Sequence, residues 1–229
     1  MNPKISNNII HNIIFSNLIL FIYISMNKIK IYDENNNEID IDKIEYVEQS
    51  LVKKYILPSD TVLELGARYG SVSCTINQIL NNKSNQVSVE PDKRVWNALE
   101  QNKMLNNCDF NIIHGFISNK KLNLTNLDVC RNGYGSTYMF DEYTPIPSYC
   151  LYGIKNELGL RFNVLIADCE GGLGLFLDEY DDIYDDLRLI IFEADYKEKC
   201  NYEIVKETLK NKGFVNILDG FQNVWAKDV

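Results

Sequence analysis

One stretch governs what this chain can fold into: Thr61–Gly70, TVLELGARYG. Val62, Leu63 and Leu65, with Pro58 and Ser59 ahead of them, read as a short buried strand. Glu64 stands beside the strand's end, and Gly66 and Gly70 follow in the frame E-x-G-x-x-x-G. Beyond Gly70 the apolar residues Val72, Ile76, Ile79 and Leu80 fall at helical spacing. Strand, glycine turn and helix make the first unit of a nucleotide-binding α/β domain. Glycine serves there because a backbone without Cβ turns tightly and lets a ligand approach. The frame is neither the dinucleotide G-x-G-x-x-G nor a phosphate loop, so cradling of a pyrophosphate is not expected. The same turn also serves as a plain connection, so the reading needs support from the rest of the chain.

That support lies downstream. Gln86–Glu90, QVSVE, reads as a second strand ending in an acid, followed by Pro91 and Asp92 at a helix start. Glu90 comes roughly 20 residues after the glycine turn, where an acid accepts hydrogen bonds from ribose hydroxyls. Acids at two strand ends beside a glycine turn suit a nucleoside without phosphates, and S-adenosylmethionine is one. A helix over Lys93–Leu105 and a third strand over Phe110–Ile117 follow. Phe162–Asp168 is nearly all apolar until its final Asp, as a strand buried on both faces would be. Leu187–Glu193 repeats that pattern. Tyr196–Lys212 reads as a helix stopped at Gly213, and Phe214–Leu218 and Asn223–Ala226 as a closing hairpin. That hairpin implies a last antiparallel strand inserted into an otherwise parallel sheet.

The front of the chain differs. Residues 1–25 are an apolar extension interrupted by His11, Asn12, Ser16 and Asn17, and its clean run, Leu18–Ile24, is shorter than the roughly 20 residues that span a bilayer. It reads as a non-native or flexible extension with Met26 as the start, or as a membrane anchor. Residues 26–58 read as a hairpin over Lys28–Ile41 and a covering helix capped by Asp42, with Ile44, Val47, Leu51 and Tyr55 on one face. Residues 59–229 form the main domain. Residues 119–149 lack periodicity and carry Tyr134, Tyr138, Phe140 and Tyr143, which suits a lid or a surface loop. The six cysteines form no C-x-x-C pair, so neither a metal site nor a disulfide scaffold is expected and a cytoplasmic location is. A net charge of −9 argues against nucleic acid as partner. The abundance of Asn, Ile and Lys reads as the codon bias of an AT-rich genome.

Across Asp60–Val229 four blocks resemble the FkbM-type family of S-adenosylmethionine-dependent methyltransferases: LELGARYG, VSVEPDKRVWNALEQN, FNVLIADCEGG and LRLIIFEAD. The chain departs from the family pattern at Arg68, where Asn is usual, and at Ile166, where lysine is usual. The resemblance implies a Rossmann-like class I methyltransferase fold: a seven-stranded, mostly parallel sheet with one antiparallel strand near the C-terminus and helices on both faces. It also implies O-methylation of a hydroxyl on a sugar or small molecule. An inactive cofactor-binding module, favoured by the missing lysine, and a methyltransferase acting on nucleic acid or protein are the alternatives.

The expected cofactor residues are Glu64, Gly66, Ala67, Arg68, Tyr69 and Gly70 near the amino acid moiety, Glu90 on the ribose, and Pro91, Asp92, Gly115 and Phe116 near the adenine. Asp168 or Glu170 would take the acceptor's proton, with Glu193 and His114 as lesser candidates. Asp168 also counts among the cofactor contacts.

Overall fold

The structure is a computed structural model, and it describes residues 29–125 and 135–227. The apolar extension, and Gly133 and Tyr134 of the long connection, lie outside the described residues. Among the described residues no helix is long and apolar enough to cross a membrane.

The main sheet has seven strands: β1 (Val62–Leu65), β2 (Gln86–Glu90), β3 (Asn111–His114), β4 (Val164–Ala167), β5 (Leu189–Glu193), β6 (Val215–Leu218) and β7 (Gln222–Ala226). Their spatial order is β6-β7-β5-β4-β1-β2-β3. β1 to β5 run parallel, and β7 lies antiparallel to both of its neighbours, β5 and β6. The order reverses between β1 and β4, which opens a crevice at the carboxyl ends of those two strands.

Alternation along the strands divides the core. Leu63, Leu65, Leu165, Ala167, Ile190 and Phe192 face one layer. Helices α4 (Leu151–Leu158), α5 (Gly172–Glu179), α6 (Ile183–Asp186) and α7 (Tyr202–Asn211) cover it. The intervening Val62, Val164, Ile166, Leu189 and Ile191 face the other layer, covered by α1 (Tyr46–Tyr55) and α2 (Ser71–Ile79). A third cluster joins α3 (Trp96–Leu105) to the front hairpin through Ile31, Leu99 and Phe110. Adjacent strand residues thus serve opposite layers, as the two-residue period requires.

Several expectations change. Asp42 does not cap α1; Glu45 occupies that position with left-handed backbone (φ 56°), and Gln49 and Val52 are the buried residues while Val47 is half exposed. The third strand breaks at Gly115, where a Cβ would sit 2.3 Å from the Pro147 carbonyl oxygen. Phe116–Ile117 therefore leaves the sheet and pairs with Ser148–Tyr149, and α4 begins just past that pair, at Leu151. The aperiodic connection holds a hairpin, Leu122–Thr125 against Thr137–Phe140. α7 starts at Tyr202, because the Asn201 side chain caps it by accepting from the Ile204 amide.

Candidate active site

A cleft with about 950 Å³ of unfilled space, its mouth included, opens where β1, β2 and β4 end. Its floor is the glycine turn. Gly66 (φ +93°) has room for nothing larger, since a Cβ would lie 1.7 Å from the Asp168 carbonyl oxygen. Gly66 and Ala67 each donate a backbone N–H to the Val89 carbonyl (3.0 Å), and Gly70 donates to Ala67 (2.7 Å). These amides are spent inside the protein, so the turn is no phosphate cradle. Arg68 adopts a left-handed conformation (φ 46°), which explains why asparagine, tolerant of that region, is usual there in the family the sequence resembles.

Glu90 closes the second side. Its carboxylate accepts from the Arg68 amide (2.7 Å) and the Asp92 amide (2.6 Å). Burial pushes it up to about 7, against the pull of those two amides. Burial also pushes Asp92 upward, but Arg94 and Arg68 together hold it below the usual carboxylate range.

The third side is acidic. Asp168 and Glu170 line the cleft, with Glu45 from the front segment. Carboxylate oxygens of Asp168, Glu193 and Asp195 lie within 4.8 Å of one another, close enough to share a proton or a cation. Burial first, then the charges of Glu193, Glu45 and Glu170, raises Asp168 well above its ordinary range. Burial and a hydrogen bond with Asp195 lift Glu170 to about 9. Burial, with Asp195 and Glu48 nearby, lifts Glu193 to about 8. Glu170 is itself left-handed (φ 52°), and Gly171 after it (φ +81°) has its Cβ position 2.7 Å from Lys199 Cβ.

Of the expected residues, the cleft brings together Gly66, Arg68, Glu90, Pro91, Asp92, Phe116, Asp168 and Glu170. Glu64, Ala67, Tyr69, Gly70, Gly115 and His114 do not line it. Glu64 faces the α2 layer, where Ser73 and Ser88 hydroxyls donate to one oxygen (2.6 Å each) and the other is buried without a partner. Burial lifts it to about 7 despite those hydroxyls. Ile166 is Glu64's register partner on β4 and sits in that same apolar layer. Ile166, where the family resemblance expects lysine, does not line the cleft. Tyr69 donates its hydroxyl to Glu34 of the front hairpin, and His114 stacks on Trp96 with ring centroids 4.6 Å apart.

Sequence reasoning missed Glu45, Leu122, Leu124, Ser136 and Phe176 among the lining residues, and named Tyr138 only as part of a lid or surface loop. The aromatic content of the long connection was the available signal for Tyr138. Nothing local marks Glu45, which reaches the cleft only because α1 packs beside α2.

No family model matches the sequence, and no curated protein matches it either. Solved structures are similar in fold. A precorrin-6y C5,15-methyltransferase from Geobacter metallireducens superposes with a TM-score of 0.50 at 13% identity, over 83% of this chain and 90% of that one. The strand order, with β7 inserted antiparallel, decides the architecture. This is the class I methyltransferase fold. A ribosomal protein L11 methylase from Lactobacillus delbrueckii subsp. bulgaricus gives a TM-score of 0.44 at 12% identity, covering 78% of this chain and 75% of that one. A putative RNA methyltransferase from Pyrococcus horikoshii gives 0.43 at 14%, covering 80% and 78%. A whole-chain charge of −9 does not decide whether nucleic acid is bound, and the expectation drawn from it does not stand. The expectation is withdrawn. Net charge describes the whole surface, whereas recognition depends on a local one.

Proposed function

We propose that this chain transfers a methyl group from S-adenosylmethionine. The observation that carries the reading is the convergence of Gly66, Glu90 and Asp168 on one cleft at the carboxyl ends of β1, β2 and β4. The donor set fits the cofactor. Gly66 keeps the floor free of side chains, Glu90 offers a carboxylate to ribose hydroxyls, and Phe116 and Ile117 give an apolar wall for adenine beside Asp92. Carboxylates on the third side suit the cationic end of the molecule. Glu64, buried behind the turn, is assigned support of β1 and β2 rather than contact with the amino acid moiety.

When bound, the cofactor supplies a methyl group already activated by its sulfonium, so the protein's work is orientation and proton management. Raised carboxyls hold their protons near neutral pH; a cation brought beside them favours the charged form. Asp168 and Glu170 are thereby readied to accept a proton from an acceptor hydroxyl only when the donor is in place. A hydroxyl acceptor and FkbM-type membership remain part of the proposal, supported by the four sequence blocks.

Calorimetry with S-adenosylhomocysteine, followed by transfer of labelled methyl to a panel of sugars, small alcohols, RNA and ribosomal protein, tests the reading. Binding with transfer to at least one class is expected. Folded protein that gives no heat with either S-adenosyl compound would end it.

A further inference from the structure

Glu45 belongs to neither the sheet nor the glycine turn, yet it lines the cleft with Gly66 and Asp168. Three features converge on it. Its backbone is left-handed (φ 56°) though it is not glycine, a conformation that costs energy and persists where surrounding structure demands it. Its carboxylate accepts a hydrogen bond from Ser71, the first residue of α2 and so the residue just beyond the glycine turn. The Glu45 backbone carbonyl also accepts the Gln49 amide (3.0 Å), so the first turn of α1 is anchored where the side chain departs. The left-handed turn at Glu45 and the anchored start of α1 together place one carboxylate from the covering helix in the lining of the cleft. Burial pushes that carboxyl up to about 7, with the Ser71 hydroxyl opposing. The charge of Glu45 is among those that raise Asp168, and a cation between the two would favour the charged form of both.

Resting on the cofactor reading above, we infer that Glu45 is a binding residue for the α-ammonium group of S-adenosylmethionine, supplied by the front segment. An ammonium needs acceptors, which the N–H groups of the glycine turn cannot supply, and Glu45 is the lining carboxylate that is hydrogen-bonded to the first residue of α2, just past that turn. The front helix would then be a working part of the binding site as well as a cover for the sheet.

Three ligands separate the possibilities: S-adenosylhomocysteine, its desamino analogue, and 5′-methylthioadenosine, which lacks the amino acid portion altogether. Wild-type protein should bind S-adenosylhomocysteine at least tenfold more tightly than the desamino analogue. Glu45→Gln should weaken S-adenosylhomocysteine tenfold or more, erase its advantage over the desamino analogue, and leave 5′-methylthioadenosine unchanged. Ser71→Ala, which only loosens the aim of Glu45, should shrink that advantage in part and serves if Glu45→Gln does not fold. Equal affinities for the amino and desamino ligands in the wild type would overturn the inference while leaving the cofactor reading intact. So would a Glu45→Gln protein that loses all three ligands alike, or one that retains the advantage. Wild-type protein that binds none of the three would overturn the cofactor reading itself, and this inference with it.

Discussion

The two ends of the sheet handle buried acid in opposite ways. At the amino end, Asp60 is 1% exposed and fully engaged. It accepts from Arg188 Nε (2.8 Å), from the Asn163 side chain (3.1 Å) and from the Leu57 amide (2.7 Å), and Arg188 also donates to the Tyr55 carbonyl. At the carboxyl end, Asp168, Glu170 and Glu193 crowd together with Asp195, and their strongest common influence is one another's charge after burial. A buried acid matched to a guanidinium and amides stitches the chain. Half-buried acids crowded against each other, even with Gly171, Tyr202 and Gln222 donating to Asp195 and Glu193, are an arrangement that folding alone does not favour, and such arrangements cluster at working sites.

The contrast can be broken from either end. The largest expected effect is chemical: Asp168→Asn should cut turnover by about 10²–10⁴-fold, the usual range for a lost general base. Its melting temperature should hold, because a neutral amide replaces a carboxyl whose neutral form the site already favours. Kinetics on whichever acceptor the panel yields, paired with a melting curve, check this, and near wild-type turnover would remove Asp168 from the mechanism. Asp60→Ala should do the reverse, lowering stability by about 3–5 kcal/mol, the scale for a broken buried ion pair. Urea unfolding measures the loss, and affinity for S-adenosylhomocysteine in the folded fraction should not move.

Glu90→Ala should weaken S-adenosylhomocysteine binding by about 1–3 kcal/mol, the scale for stranded polar partners. A change confined to stability would show that the carboxylate merely pins the Arg68 and Asp92 amides. Acidity itself gives a fourth test. Glu170 and Glu193 have raised values in the folded chain, about 9 and 8, so the unfolded state binds fewer protons than the folded one above the ordinary carboxylate range. Their contribution to stability is full below that range and is lost as pH rises toward 9. The melting temperature should fall across pH 6 to 9, and Glu170→Gln should flatten the decline. The smallest effect is expected at Glu64. Glu64→Gln should leave ligand binding untouched and be close to neutral in stability at pH 6, since burial already favours its neutral form.

Much of this architecture is legible in the residues. Val164–Ala167 and Leu189–Glu193 announce themselves because strands buried on both faces are apolar along most of their length, whereas Gln86–Glu90 shows by alternation, with Val87 and Val89 set between polar residues. The inserted antiparallel strand follows from two strand patterns joined by a turn at Asp219 and Gly220. What escaped is set at a distance. Leu122–Thr125 finds its partner across an intervening segment and alternates with polar residues, so it carries no run long enough to mark it. Glu64 illustrates a finer failure. An acid near a strand end reads as a ligand contact, yet the two-residue period turns Leu65 toward the cleft and Glu64 away from it. Glu45 was hidden for a related reason: Asp42 has the better local credentials for a helix cap, and only the approach of α1 to Ser71 shows which acid the fold employs.

The position of β7 bears on how such a chain can assemble. It follows β6 in sequence but lies inside it in space, pairing with β5 from Leu189↔Ala226 to Glu193↔Gln222. The sheet therefore cannot grow outward strand by strand in the order of synthesis. Until residues 222–226 arrive, β5 presents a bare apolar edge to its surroundings, an invitation to pair with the wrong chain. The edge of β5 is covered only once residues 222–226 pair with it, and until then a nascent or refolding molecule carries an edge open to aggregation.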